Sequence, residues 1–332
     1  MLRTSKIALA CVLALGGAGP LLGSVGSAAA QGSQPDVRMA RDLVAAASAF
    51  ETYTRTAGAI DPGFSGPRAV AGAVQVAAAH DPRQIEAGMI AYAAMAALQD
   101  PAFVAGVQRI TDDPRQSDAM VQRLTEYPDA AVELPGAERA AARARAALLR
   151  QIEPLLADGR RVKQAAYDIQ HHAWSRATVA DGRERLAMVK QLAVQPFSPS
   201  ENDATLLFQS VSRGVESREP VPPSPVVTRG LALAALTLAG RAGEADAPAL
   251  RTVVSDPRSA SCMRMAKLNL FQCMAVAGPH YEDVFCISEH AMLEAGKCMA
   301  QAAGADAPMS ALQTAQAGGL SIPPARGRSD EQ

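Results

Sequence analysis

Four cysteines near the C-terminus are arranged almost symmetrically about a Gly-Pro pair. They are Cys262, Cys273, Cys286 and Cys298, and the central pair is Gly278-Pro279. Glycine suits the end of one helix and proline suits the first turn of the next, so the spacing predicts two helices folded back on each other. Such a hairpin would bring Cys273 beside Cys286 and Cys262 beside Cys298.

Helix geometry narrows the pairing. Cys262 and Cys273 are eleven residues apart and share a face, but a helix of that length rises about 16 Å. A disulfide requires Cα atoms within about 7 Å, and zinc requires all ligands around one ion, so neither a bridge within one helix nor a four-cysteine zinc site fits. The nested disulfides Cys273–Cys286 and Cys262–Cys298 are the arrangement that remains. The twelve-residue interval from Cys286 to Cys298 rotates Cys298 by about 100° from the ideal stripe, which predicts a crossing angle or a bent helix.

This pattern, Cys-x10-Cys followed by Cys-x11-Cys, resembles the twin Cys-x9-Cys family of helical hairpins, in which two disulfides join antiparallel helices. The resemblance covers the hairpin alone and departs from the usual spacing. It implies a shared geometry, without shared ancestry or a mitochondrial role. Paired cysteines are typical of proteins that leave the reducing cytosol.

The N-terminus has the features of an export signal. Arg3 and Lys6 precede a short apolar stretch, residues 7–15, and Ala28-Ala29-Ala30 offers a cleavage site before Gln31. Nine apolar residues are too few to span a bilayer, which requires about 20. We predict a signal peptide over residues 1–30 and an exported chain, either periplasmic or secreted, without a transmembrane span after cleavage. An uncleaved anchor is the alternative.

Charge and composition limit the function classes. Loss of Arg3 and Lys6 with the signal leaves 30 basic against 33 acidic residues, a net charge near −3 that implies no nucleic-acid partner. Aromatic residues make up 4% of the chain and alanine is abundant, which favours closely packed helices.

Helical patterns fill the chain, and four Asp-Pro pairs mark helix starts, with the aspartate as N-cap and the proline at the first helical position. The pairs begin at Asp81, Asp100, Asp113 and Asp256. We predict an all-α fold, an array of short antiparallel helices ending in the disulfide-stapled hairpin. The predicted helices are 37–57, 67–79, 82–98, 101–111, 114–126, 137–157, 160–177, 182–194, 201–215, 226–241, 247–255, 257–277, 280–303 and 307–316, with a kink or an early end at Pro154.

Proline-rich sequence suggests the domain organisation. We predict an N-terminal helical array over 31–216, a linker or strap over 217–226, a C-terminal helical unit over 227–317 and a disordered tail over 318–332. Asp-Pro-Arg-Gln occurs at 81–84 and again at 113–116, a spacing near that of tetratricopeptide units, so a helical-repeat architecture is an alternative.

Two polar clusters are candidate sites. The first has catalytic candidates in Asp168, His171, His172 and Arg176, with Trp174 as a binding candidate. Asp168 and His172 are four residues apart and would share one helix face, where the carboxylate could orient an imidazole.

The second cluster comprises the binding candidates His280, His290 and Glu294, and His290 is expected to face the partner helix near Asn269. The alternative for both clusters is ordinary packing, and His80 is interpreted as a helix-end residue.

Common catalytic motifs are absent from the sequence: there is no phosphate-binding Gly-x-x-x-x-Gly-Lys, no His-Glu-x-x-His, no Gly-x-Ser-x-Gly and no Cys-x-x-Cys. We predict no cofactor and no metal.

The expected function is an exported binding or scaffold protein of the bacterial envelope, whose partner is an envelope protein, a peptide or a glycan. The alternatives are an all-helical enzyme built on the first cluster and a helical-repeat adaptor for peptide or glycan.

Overall fold

The computed structural model describes residues 38–213 and 222–305. These two ranges contain fourteen α-helices and no β-strand, which confirms the predicted fold class. The helices are α1 (Arg41–Ala57), α2 (Pro67–Ala78), α3 (Pro82–Ala97), α4 (Pro101–Thr111), α5 (Pro114–Glu126), α6 (Ala137–Ile169), α7 (Ala173–Arg176), α8 (Gly182–Leu192), α9 (Glu201–Ser212), α10 (Pro225–Leu238), α11 (Ala247–Leu250), α12 (Pro257–Val276), α13 (His280–Cys286) and α14 (Ala295–Ala302). Two 3₁₀ segments, Pro128–Glu133 and Glu244–Asp246, and one π-helical segment, Ile287–Glu294, complete the helical elements.

Several predictions fall outside these ranges. The signal peptide over 1–30, the helix at 307–316 and the tail at 318–332 lie outside the described residues, as does the 217–221 part of the proline-rich segment. Buried side chains from before and after that segment belong to one continuous hydrophobic cluster. The division into two helical units stays a prediction.

The predicted Asp-Pro helix starts are confirmed. Each of the four aspartates is an N-cap whose carboxylate accepts backbone N–H groups of the first turn, and each proline occupies the first helical position. At Asp100, for example, one carboxylate oxygen accepts the amides of Ala102 and Phe103, each at 3.0 Å. These caps satisfy amides that would otherwise lack partners at the helix N-terminus.

The centre of the chain differs from the prediction. One helix, α6, runs for 33 residues and continues past Pro154. The early end expected at Pro154 and the predicted break at 158–159 are therefore both wrong. The predicted break falls at Asp158 and Gly159, yet both are buried in α6, and a Cβ on Gly159 would lie 3.0 Å from that of Met292. The glycine therefore serves close packing against the C-terminal hairpin, and tertiary contacts outweigh its low helix propensity.

Helix α3 is the centre of the core. Its residues Ala91, Ala93, Ala94, Ala96 and Ala97 are fully buried, and it packs against α1, α6 and α10. Glycine allows two of these approaches: a Cβ on Gly88 would lie 2.1 Å from a carbonyl oxygen of α1, and one on Gly230 would lie 2.6 Å from the Cβ of an α3 alanine. Small side chains thus bring the helix backbones together, as the alanine-rich composition predicted.

The C-terminal hairpin has the predicted form. The Cα atoms of Cys262 and Cys298 are 5.6 Å apart, as are those of Cys273 and Cys286, and both pairs form disulfides. The π-helical segment 287–294 explains how the longer interval is accommodated. A π turn holds about one residue more than an α turn, so it absorbs the twelfth residue and returns Cys298 to the stripe that faces Cys262.

Helix α8 is attached to the tip of this hairpin through Arg185. Its guanidinium donates to Asp283 at 2.6 Å and to the carbonyl oxygens of Met274 and Ala277 at 2.7 and 2.9 Å, so it caps the end of α12. Burial raises the pKa of Asp283 to about 6, although Arg185 opposes the rise. The Arg185–Asp283 ion pair is almost completely buried and joins the middle of the chain to the hairpin.

Among the described helices, none alone has the length and apolar character to cross a membrane, and α3 and α4 satisfy those criteria only as a pair that meets at 92°.

Candidate functional site

The first predicted cluster lies at an exposed helix end. Helix α6 ends at Ile169, so His172 is not on it, and the prediction that Asp168 and His172 share one helix face is wrong. Asp168 is exposed and accepts a hydrogen bond from Gln164 at 2.9 Å. His171 and Arg176 are also exposed. The proposed carboxylate–imidazole pair is therefore not assembled.

Trp174 connects the two predicted clusters. Its ring stacks at 6.4 Å from that of His172, with 28° between the planes, and lies 6.4 Å from the ring of His280. Burial, followed by the charge of Arg185, lowers the pKa of His280. These rings form a partly exposed aromatic surface at the tip of the hairpin, in which residues more than 100 positions apart in the chain meet.

His290 and Glu294 lie in the π-helical segment, and Glu294 contacts Asn269 of α12. That His290 faces α12 stays a prediction. Glu294 Oε2 accepts from Asn269 at 2.9 Å and lies 3.0 Å from His290 Nδ1. Burial opposes ionisation of Glu294, but the hydrogen bonds from His290 and Asn269 outweigh it and lower its pKa. Asn269 therefore joins the two helices of the hairpin through Glu294, and His290 pairs with Glu294 within its own helix.

A half-open cavity of about 200 Å³ lies between α1, the end of α2 and the start of α3. Its walls include Tyr53, Val76, His80, Gln84 and Phe197. Phe197 belongs to the loop at 193–200, and Gln84 holds it there: the Gln84 side chain donates to its carbonyl at 2.9 Å and accepts its amide at 2.8 Å. We call this space the His80 cavity.

Most polar side chains of the wall are already hydrogen-bonded. Gln84 holds the loop, and Tyr53 donates its hydroxyl proton to the carbonyl of Ala291. Thr52 donates to Glu51 and accepts from the Arg55 guanidinium, and Thr56 donates to the Thr52 carbonyl. Asp81 accepts from the amide and the guanidinium of Arg83. The cavity wall is therefore apolar in character, and these polar side chains already have hydrogen-bond partners.

His80 is the exception. It is 4% exposed, and its ring packs on that of Tyr53 with 4.1 Å between centroids. Nδ1 lies 3.2 Å from the Ala77 carbonyl and 3.1 Å from Lys267 Nζ. Nε2 has no hydrogen-bond partner within the described ranges. His80 is one of the residues that line the cavity, and Nε2 is the ring nitrogen that its other contacts leave available.

Lys267 lies behind His80 and is 5% exposed. Its ammonium donates to the Ala78 carbonyl at 3.0 Å, so it caps the end of α2 from α12. Burial lowers its pKa to about 7, and the negative charge of Asp81 partly opposes that fall. Burial and then the charge of Lys267 lower the pKa of His80 well below its usual value. A neutral imidazole beside a charged lysine is the state favoured in mildly acidic solution.

Sequence reasoning placed His80 at a helix end, which is confirmed, but missed its burial and its partner. Lys267 is 187 positions away, and no local pattern connects the two. One signal was present in the sequence: Met263 lies four residues before Lys267 and Leu270 three after it, so the lysine shares a helix face with apolar side chains. If that face is buried, the lysine needs a buried acceptor.

A second cavity, of about 300 Å³, lies between α5 and the 3₁₀ segment 128–133. Its charged residues Arg123 and Glu133 pair with each other at 2.8 Å, which leaves no uncommitted charge for a ligand. Within 38–213 and 222–305, no three histidine, cysteine, aspartate or glutamate side chains are grouped as metal ligands.

Comparison of the chain with protein-family models, with curated proteins and with solved structures finds no match.

Proposed function

We propose that this protein is an exported helical binding protein that holds a small, largely apolar ligand in the His80 cavity. The observation that carries the proposal is a buried imidazole with one uncommitted nitrogen in an otherwise apolar wall. A cavity of about 150 Å³ in an engineered protein takes up benzene, so one of about 200 Å³ has room for a six-membered ring. Cavities lined by apolar groups with a few placed polar atoms are the usual form of small-molecule sites.

The proposed compartment is the bacterial periplasm. Two cysteine pairs at bonding distance favour an oxidising environment, and the N-terminal sequence favours export. Two contacts fix the cavity to the cross-linked hairpin. Lys267 of α12 donates to the Ala78 carbonyl at the end of α2, and Tyr53 of α1 donates to the Ala291 carbonyl. A rigid cavity of this kind suits a binding role.

The alternatives have less support. The enzyme alternative would need its four candidate side chains to converge, and they are exposed at an interrupted helix end. These residues are Asp168, His171, His172 and Arg176. Stacked repeats require units of similar length, whereas these helices run from 4 to 33 residues. A scaffold role for a protein, peptide or glycan partner would use the aromatic surface formed by His172, Trp174 and His280. Such a role is compatible with ligand binding in the His80 cavity.

The binding proposal is tested by saturation-transfer NMR with benzene and cyclohexanone as probes. Val76 lines the cavity and is 37% exposed, so we expect Val76→Trp to fill part of the cavity at little cost to folding. We expect saturation transfer to at least one probe in the wild type and its loss in Val76→Trp. Val276→Trp is the matched control, because Val276 is 84% exposed and does not line the cavity. Absence of transfer in the wild type, or equal transfer in both variants, contradicts the proposal.

A further inference from the structure

The hydrogen-bonding character of the His80 cavity follows from the group behind the imidazole. A lysine ammonium carries three donors and no acceptor. Lys267 Nζ uses one donor on the Ala78 carbonyl and reaches His80 Nδ1 at 3.1 Å with another. An ammonium can bond to Nδ1 only when that nitrogen presents its lone pair. The single proton of the neutral imidazole then resides on Nε2.

We infer that the His80 cavity selects uncharged ring-sized molecules that carry one hydrogen-bond acceptor, such as a ketone oxygen, because Lys267 fixes His80 as an Nε2–H donor. This inference rests on the proposed binding function and adds the class of ligand. Charge is excluded from the ligand because the wall provides no free counter-ion: Asp81 already caps α3 and pairs with Arg83 at 3.4 Å. A buried unpaired ion would be strongly disfavoured.

The groups that face this pair come from each neighbouring element. Tyr53 packs on the imidazole from α1, and its hydroxyl is bonded to Ala291, so it does not compete for either ring nitrogen. Asp81 supports the charge of Lys267. The alternative arrangement has Nδ1–H donating to the Ala77 carbonyl at 3.2 Å, which would leave Nε2 as an acceptor. The two arrangements differ in one proton position and can be distinguished directly.

The first measurement is the tautomer itself. Long-range ¹H–¹⁵N correlation spectra of histidine-labelled protein at pH 6 separate the two neutral forms. We expect His80 to be neutral and protonated on Nε2 in the wild type. In Lys267→Met, which keeps the length of the side chain and removes the donor, the proton should move to Nδ1 and bond to Ala77. Lys190→Met, a change at an exposed lysine of α8, is the control and should leave the signal unchanged.

The second measurement compares two probes of the same shape, cyclohexanone and methylenecyclohexane, of which only the ketone accepts a hydrogen bond. The ratio of their dissociation constants cancels the contribution of size. We expect His80→Phe and Lys267→Met to lower the preference for the ketone by about fivefold relative to the wild type, the effect of one neutral hydrogen bond. Lys190→Met should retain the wild-type ratio.

The outcomes separate the two proposals. If neither probe binds to the wild-type protein, the binding function and the inference both fail. If both probes bind but the ratio is the same in all four proteins, or if His80 is protonated on Nδ1 at pH 6, the ligand class is wrong while the binding function stands. The tautomer measurement uses the unmodified protein and does not depend on either variant folding.

Discussion

Lys267 shows how one residue can link stability to pH. It is buried and its pKa is lowered to about 7, whereas an unfolded chain gives lysine a pKa near 10.5. Between those values the unfolded chain binds a proton that the folded chain does not. Stability from this residue is therefore lost as pH falls through about 7 and increases as pH rises toward 10.5.

We therefore predict that the wild-type protein gains stability relative to Lys267→Met as pH rises from 6 to 9. The gain approaches about 1.4 kcal/mol for each pH unit between the two pKa values. Urea unfolding of both proteins at pH 6, 7.5 and 9 measures it, with Lys190→Met as the control for a change in net charge. A difference that stays constant with pH would show that Lys267 remains charged throughout.

The residue scale is also where the sequence was least informative. Asp168 and His172 were predicted as a pair from a spacing of four, but the helix ends between them, where the Ser175 hydroxyl donates to the carbonyl of Ile169. His80 had no local sign of a partner 187 positions away. The hairpin cysteines were predictable because their geometry depends only on helix rise and a turn.

At the scale of elements, local chemistry predicted helix starts better than helix ends. Asp-Pro identifies an N-cap and a first turn within two residues, and all four pairs are confirmed. The 33-residue α6 was predicted as two helices. It continues through Gly159 because the close approach of Met292 there requires a residue without a side chain, and this packing outweighs the low helix propensity of glycine. The bend expected before Cys298 takes the form of a π-helical segment, which spacing alone could not specify.

The π-helical segment Ile287–Glu294 gives a prediction about the register between Cys298 and Cys262. Deletion of His290 shortens the interval between Cys286 and Cys298 to eleven residues, and the π turn can then become an α turn. We expect the outer disulfide still to form, with the cysteine after the deletion in register with Cys262. Insertion of one alanine after His290 is the matched variant and should prevent that bridge. Peptide mapping without reduction measures both. Loss of the bridge in the deletion variant would show that the π segment does not set the register.

For the whole molecule, the hairpin and the central helices form one continuous core, and the two disulfides restrain it to different extents. The outer bridge spans 36 residues and the inner bridge 13. In the chain-entropy model, a bridge that closes a longer loop restricts the unfolded chain more.

We predict that a protein retaining only the outer bridge (Cys273→Ala with Cys286→Ala) is more stable than one retaining only the inner bridge (Cys262→Ala with Cys298→Ala). The expected difference is about 1 kcal/mol. Denaturant unfolding of the two variants, with the four-alanine protein as reference, measures it. Equal stabilities, or a more stable inner-bridge protein, would mean that native packing around the sulfurs outweighs chain entropy.

The most direct measurement is a crystal structure of the oxidised protein soaked with cyclohexanone at pH 6. The proposed function and ligand class predict one molecule in the His80 cavity, with its oxygen within about 3.2 Å of His80 Nε2. A cavity that holds only water, or a ring whose oxygen points away from the imidazole, would contradict them.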